Sequence, residues 1–127
     1  MTSGHFDGVV LIAHGARDAR WLEPFTRLAA DLADKLAPRK VALSFMEFAR
    51  PSFADAVLEL SAAGATNVLV VPVFLSGGGH VAGDVPALVD AQRARHPMLE
   101  FTVSGALGEE AEVALAMGAA IQRLARK

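Results

Sequence analysis

Three residues able to hold a metal ion or move a proton recur evenly along the chain: His14, Glu47 and His80, each thirty-three residues from the next. Two imidazoles and a carboxylate suit a borderline divalent ion such as Co²⁺, Ni²⁺, Fe²⁺ or Zn²⁺, and three protein ligands leave coordination positions free for exchange or reaction. Imidazoles neutral near pH 7 can hold the ion or accept a proton, and Glu47 can ligate or take protons from the imidazoles, so the split between ligand and base stays open. His80 closes the run Ser76-Gly77-Gly78-Gly79-His80. Three consecutive glycines cost backbone entropy unless the chain turns sharply or comes close to a ligand, which makes Gly77, Gly78 and Gly79 candidate substrate contacts. Arg17, Arg20 and Arg50 follow the same segments as His14 and Glu47, and guanidinium groups there suit the carboxylates of an acidic ligand. The other histidines differ: His5 lies near the start of the chain, and His96 precedes Pro97, where a solvated or capping role is expected.

Residues so far apart need a scaffold that returns the chain repeatedly to one edge. Short runs rich in Val, Ile, Leu and Phe alternate with Ala-rich stretches whose apolar residues recur at helical spacing, a βαβαβαβα pattern. Strands are expected at Gly8 to Ala13, Val41 to Glu47, Asn67 to Leu75 and Leu99 to Ser104, the first and third nearly continuous in apolar residues, as parallel strands covered on both faces are. A first helix is expected from about Arg20 to Leu36, burying the stripe Trp21, Phe25, Leu28, Leu32 and Leu36, with Trp21, Phe25 and Phe53 read as core. A second opens at Pro51-Ser52, where Ser52 caps, and stops at Gly64; a third begins near Asp84-Val85-Pro86 with Asp84 as the capping carboxylate and ends before His96-Pro97. The last spans Glu109 to Ala125 with Val113, Met117, Ala120, Ile121 and Leu124 inward.

These units predict an α/β fold: one four-stranded parallel sheet in the order 2-1-3-4 with helices on both faces. Ligands of such sheets bind beyond the carboxyl ends of the strands where the order reverses. Strands 2 and 3 then flank strand 1, and at about 4.8 Å per strand His14 falls between Glu47 and His80 at one crevice.

Composition excludes several classes. With 127 residues the chain makes a single domain over residues 1–127, and 53% apolar against 20% charged residues supplies a core. Twelve Lys and Arg against fourteen Asp and Glu leave a charge of −2, which offers no general attraction to nucleic acid or an acidic membrane surface. Cys is absent, which removes disulfides, thiolate metal sites, cysteine-ligated iron–sulfur clusters and thiol nucleophiles. Mean hydropathy is +0.36, yet no apolar run reaches the roughly 20 residues of a bilayer span, and the first seven residues carry no secretory pattern, so a cytoplasmic location is expected.

The segments Ile12-Ala13-His14-Gly15-Ala16-Arg17, Phe45-Met46-Glu47-Phe48-Ala49-Arg50-Pro51-Ser52 and Val71 through Pro86, with its proline-bearing strand, glycine turn, histidine and Asp-x-Pro, carry a resemblance. Together they resemble the small sirohydrochlorin chelatases of the CbiX/SirB family, the short form of the class II tetrapyrrole chelatases. The resemblance implies a chelatase-like fold with flavodoxin-like winding. It also implies insertion of a divalent metal, Co²⁺ favoured and Ni²⁺ or Fe²⁺ as alternatives, into a sirohydrochlorin-type tetrapyrrole for tetrapyrrole or cobalamin biosynthesis. No nucleotide, flavin or iron–sulfur cluster is implied. His14 and His80 match the family's metal-site histidines and Glu47 its acidic position, and the short members' likeness to one lobe of two-lobed chelatases implies a homodimer with the crevice near the subunit interface. Ala16 stands where the family pattern carries Ser, which removes a hydroxyl. Two other readings compete: a non-catalytic carrier of metal or tetrapyrrole, and a histidine-type phosphohydrolase, against which Ala13 stands where that motif has Arg.

Overall fold

The computed structural model describes residues 5–78 and 81–127, and at 81 and 82 the backbone alone. Four strands, β1 (Gly8–Ala13), β2 (Lys40–Phe45), β3 (Asn67–Pro72) and β4 (Glu100–Val103), form one parallel sheet in the order β2-β1-β3-β4, as the alternation predicts. Helices α1 (Glu23–Leu36), α2 (Phe53–Ala62), α3 (Val81–Arg95) and α4 (Ala111–Ala125) alternate with them, and short 3₁₀ helices stand at Ala19–Trp21 and Leu107–Glu109.

β1 is central and buried along its whole length. On one face Val10, Ile12, Val68 and Val70 pack against Phe53, Val57 and Leu60 of α2 and Val85 and Val89 of α3, which is the main core. Ser44, fully buried, donates its hydroxyl to the Leu11 carbonyl at 2.9 Å, so its polar atom is satisfied. At the amino ends of the strands, Asp7 accepts hydrogen bonds from the Thr66 and Asn67 amides and the Thr66 hydroxyl. Burial works to raise the Asp7 pKa, but these hydrogen bonds together outweigh it and hold the carboxyl below the usual range.

Helix α2 forms as expected, Ser52 Oγ accepting from the Asp55 amide at 3.1 Å and Gly64 stopping it at φ +95°. Other boundaries differ. A helix from Arg20 would place Pro24 in its interior; instead Asp18 caps a 3₁₀ turn, and α1 starts at Glu23 with Pro24 in its first turn. Trp21 is consequently 70% exposed rather than core, whereas Phe53 is fully buried. The Phe25, Leu28, Leu32 and Leu36 stripe of α1 is only half-buried. Helix α3 begins at Val81, a turn before the expected start, so Asp84 is not its cap and Pro86 sits inside the helix. The inward stripe expected on α4 is not inward: no residue of α4 is buried, and Ile121 is 64% exposed. Among the described residues α4 touches the rest of the chain chiefly through the 3₁₀ turn Leu107–Glu109, so Leu69, Val71 and Val73, on the face away from the main core, remain half-buried. No helix among the described residues is long and apolar enough to cross a membrane.

Candidate functional site

The segments leaving β1 and β2 stay paired beyond the strands. The Met46 amide donates to the Ala13 carbonyl at 2.8 Å and the Glu47 amide to the His14 carbonyl at 3.2 Å, which sets two chemistry-bearing residues side by side. Glu47 thus lies two residues past β2 rather than at its end. The approach requires Gly15: it holds φ +92°, and a Cβ there would overlap the Glu47 carbonyl oxygen. Phe74, buried, supports the His14 imidazole from behind, with ring centroids 4.4 Å apart and planes tilted by 41°.

His14 and Glu47 line one cleft of about 430 Å³ together with Met46 and, from one face of α3, Asp84, Ala87, Leu88 and Ala91. Its volume falls in the range of small-molecule sites. Two carboxylates and an imidazole make the cleft attractive to a divalent cation, while Ala87, Leu88 and Ala91 offer an apolar wall. Among the described residues no three His, Asp or Glu side chains are grouped closely enough to hold a metal ion by themselves. His80 and Gly79 lie outside the described residues.

Arg17, Arg20, Arg50, Gly77 and Gly78 do not line this cleft. Arg17 stacks over the Phe48 ring at 4.7 Å, tying the β1 loop to the β2 loop, and Phe48 itself takes a left-handed φ of 65°. Arg50 is exposed. Arg20 is held by Asp18, with Nε donating to Oδ1 at 3.1 Å and Nη2 to Oδ2 at 2.6 Å. Gly77 and Gly78 direct their amides to side chains of the chain itself, Gly77 to Glu109 at 3.4 Å and Gly78 to Ser76 at 3.2 Å; Gly77 borders a separate hollow with Pro72, Phe74 and Val103.

Asp84 is the residue that sequence reasoning assigned to another task. Its spacing with Ala87, Leu88 and Ala91, at i, i+3, i+4 and i+7, was the available signal: one helix face with apolar residues and a single acid.

A parallel α/β sheet whose order reverses beside β1, with a histidine and two acids in the cleft at its carboxyl rim, defines a protein of the open doubly wound class that binds ligands at the switch point. The CbiX family model matches residues 8–124, and the chain belongs to that family. It is 38% identical over 82 residues to a sirohydrochlorin cobaltochelatase of Methanothermobacter thermautotrophicus, covering 65% of this chain and 57% of that one. It is 29% identical over 112 residues to one of Saccharolobus solfataricus, covering 84% and 86%. The matched region spans less than two thirds of the first of these relatives. A crystal structure of a cobalamin biosynthesis CbiX protein from Marinobacter aquaeolei VT8 superposes with a TM-score of 0.83 at 31% identity, over 94% of this chain and 98% of that one. Bacillus subtilis SirB with Fe³⁺ shares the fold at a TM-score of 0.81 and 20% identity, over 92% of this chain and 46% of that one.

Proposed function

We propose that this chain is a metal chelatase that inserts a divalent ion, Co²⁺ in the first place and Ni²⁺ or Fe²⁺ as alternatives, into a sirohydrochlorin-type tetrapyrrole without nucleotide hydrolysis. The observation that carries the reading is the cleft at the switch point, where His14 and Glu47 are set side by side by a backbone hydrogen bond. The names of the relatives support the reaction, and the SirB structures with iron and with cobalt support a metal at this fold.

Insertion exchanges the ion's water ligands for four ring nitrogens and releases two pyrrole protons. In this reading His14, Glu47 and His80 hold the ion or accept those protons, and Asp84, on the opposite wall, supplies a further carboxylate. Arg17 and Arg50, outside the acidic cleft but on the same rim, receive peripheral carboxylates of the macrocycle, while the glycines Gly77, Gly78 and Gly79 let the flat ring approach the backbone. A homodimer and a cytoplasmic location belong to the same reading.

Sirohydrochlorin mixed with Co²⁺ and substoichiometric protein tests it by absorbance. Many metallated products per chain are expected, with His14→Ala and His80→Ala losing the spectral change. Conversion that stops at one equivalent per chain would instead identify a carrier, and phosphohistidine formed from a phosphoester would identify a phosphohydrolase.

A further inference from the structure

The backbone and the ring of His14 are held by different neighbours. On the β2 side, the His14 carbonyl accepts from the Glu47 amide. On the β3 side, the register pairs Ile12 with Pro72, and the Val73 amide carries the pairing further by donating to the Ile12 carbonyl at 2.8 Å. Two residues on, the same register sets His14 opposite Phe74, on the sheet face that α2 and α3 cover. Their ring centroids come to 4.4 Å. The two rings are unequal partners: Phe74 is 7% exposed and belongs to the main core, whereas His14 is exposed and lines the cleft. A core side chain cannot shift without opening a void, so the buried ring constrains the exposed one.

Phe74 is itself tied from the far side of the sheet. β3 lies between β1 and β4, and the turn that follows β4 returns to the exit of β3, where the Gly108 amide donates to the Phe74 carbonyl at 2.8 Å. The contact requires glycine at 108, since a Cβ there would overlap the Leu75 carbonyl oxygen. The restraint on His14 thus runs across three neighbouring strand exits, from Gly108 to Phe74 to His14. Neither supporting residue lines the cleft.

We infer that Phe74 is a positioning residue for metal insertion and that Gly108 holds it in place, the two together setting the plane in which the His14 imidazole meets the ion or the pyrrole proton. The inference rests on the chelatase reading for the reaction, while the orientation of His14 belongs to the chain alone. An imidazole nitrogen presents its lone pair in the ring plane, so turning the ring takes the lone pair off its target even where the backbone has not moved. Such an error acts on the chemical step and leaves tetrapyrrole binding alone.

Nuclear magnetic resonance of the chain without metal or tetrapyrrole reads the orientation directly. The His14 ring protons, assigned by their absence in His14→Ala, are expected to show cross-relaxation with the Phe74 ring and a ring-current displacement from a free histidine peptide. Phe74→Leu removes the displacement, and Gly108→Ala changes it from outside the cleft. His14 signals unmoved by Phe74→Leu overturn the proposal. Signals unmoved by Gly108→Ala in a folded chain overturn the part given to Gly108.

Kinetics give the consequence. Phe74→Leu is expected to lower kcat about 10²-fold with KM for the tetrapyrrole unchanged, the scale of a catalytic group misplaced by about 1 Å. Phe74→Tyr, which keeps the ring, recovers most of that loss. Val57→Ala, a core truncation on α2 that does not line the cleft, controls for lost stability and keeps the wild-type kcat. Wild-type kcat in Phe74→Leu, a raised KM alone, Phe74→Tyr as slow as Phe74→Leu, or an equal fall in Val57→Ala each overturns the positioning role. A wild-type chain that inserts no metal defeats the chelatase reading instead, and the His14 signals still decide whether Phe74 and Gly108 hold the imidazole.

Discussion

The Glu47 amide donates to the His14 carbonyl at 3.2 Å, so two side chains thirty-three residues apart in the chain are held by one backbone contact at the mouth of a single cleft. The contact extends the β1–β2 pairing beyond the regular ladder. Whatever the two groups do, they do it on a common frame.

Gly15→Ala tests that frame without touching either side chain. The new Cβ would meet the Glu47 carbonyl, and alanine is strained at φ +92°. We expect a loss of about 1–3 kcal/mol in urea-measured stability. Metal insertion should fall much further than stability alone explains, because Glu47 must move away from His14. Unchanged turnover in a folded Gly15→Ala variant would show that the spacing of the two groups is unimportant.

Asp84→Asn keeps the shape of the cleft and removes one of its two carboxylates. If Asp84 assists insertion, kcat drops about 10²-fold or more, in the range for a positioned proton acceptor, and Asp84→Glu restores part of it. Steady-state absorbance kinetics with metal and tetrapyrrole varied in turn separate this from a loss of metal affinity, which would raise KM for the ion alone.

The Asp7 carboxyl, held below its ordinary pKa by the Thr66 and Asn67 amides and the Thr66 hydroxyl, stabilises the fold only while ionised. Because the folded-state pKa is the lower one, its contribution is complete above the unfolded value of about 4 and fades as pH falls through the folded value. Asp7→Asn should therefore lower the urea midpoint at pH 7 and lower it much less near pH 3. A difference that grew on acidification would contradict the assignment.

Gln92 is 5% exposed, and its Oε1 has no hydrogen-bond partner among the described residues. An unsatisfied buried amide oxygen costs about 1–3 kcal/mol. Gln92→Met, similar in shape, should raise the thermal midpoint by several degrees. Phe53→Ala, which empties a site at the centre of the main core, should lower stability by about 3–5 kcal/mol in the same scan.

Local sequence was sufficient wherever one interaction of short range dominates. β1 is a continuous apolar run and so must be central and covered; Ser52 caps α2 and Gly64 ends it; the even spacing of strands and helices leaves a parallel sheet with order 2-1-3-4 as the favoured topology. His14 and Glu47 were legible as partners because each follows a strand of adjacent rank. Tertiary structure decided what depends on packing against something distant. Helix α3 starts early enough to take Asp84 away from capping and turn it toward the cleft, and no periodicity reveals which face of α3 meets which loop. The α4 stripe was equally visible in the sequence, but an amphipathic helix specifies only that its apolar face be covered, not by which surface. Spacing along the chain fixes what a residue can offer, and only the three-dimensional arrangement fixes what it is offered to.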